Sequence, residues 1–182
     1  MPTHRRKGEV RRLLRAVFYL FTIELLAFPL GRLVPKTWFS ADRFPFRHHA
    51  AEDGLYRTLK VRRWQNKLPD MSRIFPGLMP PKNLSGDFAD RLPLMISETC
   101  VAELTHAVLC VAGWYCIVLC PGVGGRLLAI ACLAVNFPYI LIQRYNRPRL
   151  VRLLTTAQKT ENISEIETDK DRVLCPSTEE KQ

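Results

Sequence analysis

Two long apolar runs separated by a short turn restrict this chain more than any other feature. ISETCVAELTHAVLCVAGWYCIVLC (96–120) is followed by PGVGG and then by RLLAIACLAVNFPYILIQ (126–143). The first run is long enough to cross a hydrocarbon layer of roughly 30 Å as a helix, and the second is near the lower limit. The Pro and Gly residues between them read as a tight turn. A transmembrane helical hairpin is therefore expected. The second run passes directly into a basic knot, RYNRPR (144–149).

The first run begins with ionisable groups. Glu98, Glu103 and His106 stand in or beside apolar surroundings. A charged side chain at bilayer depth costs about 2.5–3.5 kcal/mol on insertion scales, so such residues are usually kept for a task. Thr99, Glu103, His106 and Cys110 follow spacings of 4, 3 and 4. At about 3.6 residues per turn they share one stripe, with Glu98 beside it. This polar seam is expected to face protein or a water-filled cavity rather than lipid.

Around the hairpin the chain divides by composition. Residues 1–15 form a basic N-terminus, and 16–34 form a third apolar segment with Glu24 in its middle. A secretory signal would start this way, but no small-x-small cleavage site follows, so a retained membrane segment is preferred. Pro29 and Gly31 are expected to bend or end it. Residues 35–95 make a basic connection too rich in Trp, Phe, Tyr and Leu to be disordered. Within it, Glu52 to Gln65 is expected as a basic helix at headgroup level, with Trp64 as its anchor. Ser97 is placed to cap the helix that follows. Residues 96–158 hold the hairpin with its C-terminal basic motif, and 159–182 read as a polar, disordered tail. The fold class is thus all-α: a small integral membrane protein, multi-pass in the cell membrane, with a hairpin, an N-terminal membrane segment and interfacial helices.

The formal net charge of +10 is placed beside apolar spans, as expected against anionic lipid headgroups. No nucleic-acid-binding motif accompanies it. The six cysteines show no CxxC or secreted-framework spacing and read as small apolar packing residues. Cys110 is the alternative, as a carrier of a covalent acyl group. Eleven Lys/Arg lie in 35–95, six in 1–15 and four in 144–152, against Arg126 alone in the turn. The positive-inside rule asks for all these basic stretches on the cytoplasmic face. That favours a first segment that dips in and returns, or lies in the plane, and a cytoplasmic catalytic face.

Four blocks carry a family likeness: PFRHHAAEDGLY (45–56), KVRRWQNKLPD (60–70), ETCVAELTH (98–106) and NFPYILIQRYNRPRL (136–150). Through them the chain resembles the glycosyl-4,4'-diaponeurosporenoate acyltransferases, small bacterial membrane proteins of staphyloxanthin-type carotenoid synthesis. The likeness covers roughly 30 to 155. It implies transfer of a fatty acyl group to a sugar hydroxyl on a glycosylated carotenoid or similar lipid. It implies no cofactor, only acyl-CoA or another acyl donor as co-substrate.

Acyl transfer to a hydroxyl needs a base and a stabiliser for the oxyanion. His106 is the candidate base, with Glu103 as its support and Glu98 able to act from beside them. Asn136 is the candidate oxyanion donor, or else a bond across to the seam. Gln143, Arg144, Asn146, Arg147 and Arg149 form the candidate clamp for donor phosphates or an anionic headgroup, with Asn146 and Pro148 suggesting a turn. Trp64, Lys67 and Asp70 are candidates to close the site from the connection. Structural readings stand beside these: a polar cluster pinning helices together, or flanking charge that fixes orientation. Glu103-x-x-His106 also has the spacing of di-iron carboxylate helices, with His49-x-x-Glu52 as a mirrored half, but no metal is assigned. A membrane lipid methyltransferase and a non-catalytic lipid-binding scaffold are the other functional readings.

Overall fold

The computed structural model describes residues 2–68 and 88–174. Every regular element among them is helical. Helix α1 is Pro2–Leu33. A 3-10 turn at Lys36–Trp38 leads through the connection to α2 (Ala50–Thr58), α3 (Val61–Trp64) and a second 3-10 turn at Gln65–Lys67. Helix α4 is Phe88–Gly113, α5 is the short turn Cys116–Leu119, and α6 is Val123–Leu174. Among the described residues three stretches are long and apolar enough to cross a membrane: Lys7–Leu33, Ala89–Leu119 and Val123–Ile163. The expected hairpin and N-terminal membrane segment are both present.

Side-chain contacts set the directions. Ala16 is buried against Cys116 and Cys120 beside the hairpin turn, and the Tyr19 hydroxyl donates to the Ala112 carbonyl at 3.1 Å. Farther along α1, Gly31 lies against Thr105, and Lys36 meets Glu98. Helix α1 is therefore antiparallel to α4 and parallel to α6. At Gly113 an added Cβ would sit 2.6 Å from Cys132 Sγ. Only a missing side chain lets α4 and α6 approach so closely, the usual use of small residues between membrane helices. Gly122 takes φ +109° in the turn, a conformation that favours glycine. Phe18, Phe21, Leu25, Val111, Val118 and Ile130 stay exposed on the outer faces. Such an apolar girdle suits a hydrocarbon solvent and not water. Cys100, Cys110, Cys116, Cys120 and Cys132 are free and buried, in keeping with packing roles.

Several local expectations are corrected. Helix α1 runs unbroken through Pro29, so a dip-and-return segment does not form; a proline removes one helical N–H, a loss membrane helices tolerate. Helix α4 starts well before Ser97, whose hydroxyl donates to the Pro93 carbonyl at 3.1 Å and caps nothing. The basic interfacial helix is broken at Lys60, which sits at φ 50°. Trp64 Nε1 closes that break with a 2.9 Å bond to the Leu59 carbonyl. RYNRPR makes no turn: α6 continues through Pro148 and on to Leu174. The tail is thus helical over 159–174. No Gly or Pro interrupts the chain between Arg149 and Cys175, and extending an existing helix costs far less than starting one.

With α1 a full-length helix, the N-terminus shares one end of the bundle with the hairpin turn. The connection and the basic knot share the other. A phosphatase or fluorescent reporter fused after Lys82 is expected to report the cytoplasm, where the larger Lys/Arg count lies, and one fused at the N-terminus the opposite side. Both on one side would contradict three crossings.

Candidate active site

Two polar layers lie between α4 and α6, about 4.5 Å apart along α4 by helical rise. The outer one is built on Glu103, which is buried. Its Oε1 accepts from Arg144 at 2.7 Å, and its Oε2 accepts from Arg147. Arg147, itself buried, also donates to Thr99 Oγ1 at 2.9 Å and to the carbonyls of Thr99 and Phe46. Arg144 reaches into the connection. It donates to Glu52 Oε1 at 2.7 Å and to the carbonyls of Pro45 and Arg47. Glu52 accepts a further bond from the Tyr56 hydroxyl. Tyr56 packs with Val61 on Leu141 of α6, flanked by Trp64 and Tyr145.

The inner layer joins three helices. His106 Nδ1 and Asn136 Oδ1 are 2.8 Å apart. Asn136 Nδ2 donates to Glu24 Oε1 at 2.7 Å and to the Cys132 carbonyl at 3.1 Å. The His106 ring stacks on Tyr139, with centroids 4.8 Å apart and planes 12° apart. Asn136 is 1% exposed, and His106 is half-buried. The imidazole is thus pinned on one edge and one face while part of it stays open.

The seam faces protein as expected, yet its pairings differ. Glu103 serves Arg144 and Arg147 rather than His106; two guanidinium forks suit a buried carboxylate better than an imidazole does. Glu98 points away to Lys36 at 3.9 Å. Asn136 has one amide proton on Glu24 and one on the Cys132 carbonyl, so neither is left for an oxyanion. Arg147 is sealed inside, with 3% of its side chain exposed, and cannot grip a ligand phosphate. Only Arg149 lies on the surface, over the Tyr145 ring at 4.0 Å. Gln143 and Asn146 are half-buried on α6. Trp64 packs on α6 rather than standing as a lone anchor, and Asp70 lies outside the described residues. The mirrored His/Glu metal half does not assemble, since His49 is exposed and Glu52 faces Arg144. Among the described residues no cluster of three His, Cys, Asp or Glu is placed to hold a metal. Sequence reading missed the Glu52–Tyr56–Arg144 link and the partner of Glu24. Neither bridge leaves a local signal, because the Arg144–Glu52 and Asn136–Glu24 contacts join residues 92 and 112 positions apart.

Burial raises the affinity of the Glu52 carboxyl for its proton, but the Arg144 and Tyr56 hydrogen bonds and the Arg144 and His48 charges outweigh this and hold it below its ordinary value. Burial and the bond to Glu52 push the Tyr56 hydroxyl up. A depressed folded value makes the Glu52 contribution complete above the unfolded value of about 4.3 and lost as the pH falls toward the folded one. Thermal unfolding in detergent is therefore expected to lose stability with acid below that range, and Glu52→Gln to flatten the loss. An equal acid sensitivity in Glu52→Gln would contradict it. Glu103→Ala leaves the buried Arg147 without its carboxylate, while Arg144 keeps Glu52, and is expected to cost about 3–5 kcal/mol, read by the same unfolding measurement; a cost under about 1 kcal/mol, typical of a surface pair, would contradict the burial.

A family model described as glycosyl-4,4'-diaponeurosporenoate acyltransferase matches residues 35–156. Proteins of that name from Staphylococcus aureus strains bovine RF122 / ET3-1, N315 and USA300 are each 30% identical over 145 residues, covering 75% of this chain and 84% of theirs. No solved structure matches. The matched range holds both polar layers except Glu24, and this all-helical acyltransferase belongs to the glycosyl-4,4'-diaponeurosporenoate acyltransferase family.

Proposed function

We propose that the chain transfers a fatty acyl group to a sugar hydroxyl of a glycosylated carotenoid or similar membrane lipid, with His106 Nε2 as general base. The bond between His106 and Asn136 carries this reading. The Asn136 NH2 faces the Cys132 carbonyl, which has no proton to give, so Oδ1 faces the ring. Oδ1 can only accept, so Nδ1 holds the ring proton and the neutral imidazole keeps its lone pair on Nε2. That nitrogen takes the proton of the acceptor hydroxyl as its oxygen attacks the acyl carbonyl, and gives it to the departing group of the donor. The chain has no GxSxG nucleophile motif, which favours direct transfer. Acyl-CoA or another activated acyl compound is the donor, and no further cofactor is needed. Arg149, exposed at the rim, serves anionic headgroups or donor phosphates. The chain acts as a multi-pass protein of the cell membrane, with this rim on the cytoplasmic side.

Lipid extracts from cells with and without the gene, read by mass spectrometry, test the reading. A fatty-acyl mass gain on a glycosylated lipid is expected with the wild type, falling about 10²- to 10⁴-fold in His106→Ala. A methyl gain, no gain, or a fully active His106→Ala would overturn it.

A further inference from the structure

We infer that Glu24 of α1 is a positioning residue for His106, acting through Asn136. The inference rests on the reading of His106 as base and adds a third helix to the site. Glu24 stands in the middle of an apolar segment, where a carboxylate needs a strong reason to stay. Its Oε1 accepts from Asn136 Nδ2 at 2.7 Å, and Asn136 Oδ1 accepts from His106 at 2.8 Å. The three side chains form one line from α1 through α6 to α4. A carboxylate in that place presents only acceptors to the amide, so it reinforces the orientation the Cys132 carbonyl prefers. The amide oxygen is thereby kept on the ring, and Nε2 keeps its lone pair. As the imidazole gains a proton during transfer, the negative end of the line stabilises it, as a carboxylate does for a catalytic histidine. Here the charge acts one amide away. Helix α1 lies outside the matched family range of 35–156, yet it closes this line.

Four variants and two readouts decide the matter. The variants are Glu24→Ala, Glu24→Gln, Asn136→Asp, and the swap Glu24→Gln with Asn136→Asp. The readouts are turnover of a glycosylated lipid acceptor in nanodiscs and the proton position on His106 by 15N NMR, assigned by difference from His106→Gln. Glu24→Ala is expected to lower turnover about 10- to 100-fold, the range usual for a group that orients a histidine from its far side. Glu24→Gln, which still offers an amide oxygen, loses less. Asn136→Asp sets two carboxylates against each other and loses activity. The swap restores one carboxylate and one amide, and regains turnover above Asn136→Asp alone. The Nδ1 proton is expected in the wild type and the swap, and depleted in Glu24→Ala. Equal losses in Glu24→Ala and Glu24→Gln with an unmoved ring proton would overturn the inference, as would a swap no better than Asn136→Asp. Should Glu24→Ala fail to fold, the swap pair still decides. The ring-proton readout needs no activity, so a shift in it beside an active His106→Gln would reject the base reading while keeping the positioning link.

Discussion

A single buried carboxylate shared by two arginines organises the rim of this bundle. Glu103 cannot be left alone at that depth, and neither can Arg147. Each guanidinium satisfies its remaining protons on the connection or on Thr99. Helix α4, helix α6 and residues 45–52 are therefore tied together. Ion pairs of this kind contribute less net stability than their Coulomb attraction suggests, because both partners must be desolvated. Their stronger effect is on register, since sliding α4 by a turn would strand Glu103 and Arg147 at once.

The rim network also frees the layer beneath it. Because Arg144 and Arg147 consume Glu103, His106 turns to Asn136 instead, and the amide passes the link on to Glu24. Separation by less than a full helical turn keeps the ion pairs in one layer and the His106–Asn136–Glu24 line, on which the proposed chemistry rests, in the other. Tyr139 secures the ring plane without spending a hydrogen bond on it.

What was legible in the sequence was whatever repeats along a helix. The spacing of Thr99, Glu103, His106 and Cys110 predicts a shared face; the first three bond to residues of α6 and Cys110 is buried. The apolar runs marked the spans, and the composition marked the class. Pairing across helices is not legible: sequence proximity points Glu103 to His106, whereas its arginines come from 41 and 44 positions away. Glu24 was seen as an acid at depth, but nothing local names Asn136 as its partner. Pro29 and Pro148 carry the local signal for a bend or a turn, yet both sit inside helices. The packing of neighbouring helices overrides that local preference.

The account comes down to one unshared lone pair, on Nε2 of His106, beside an amide whose oxygen and both protons are engaged. Diethyl pyrocarbonate attacks such a nitrogen, and peptide mapping by mass spectrometry reads where it has reacted. The expected result is modification of His106 in the folded protein that removes transfer activity in step, while modification of the exposed His49 leaves it intact. A His106 that reacts only after unfolding, or activity that survives its modification, would contradict the account.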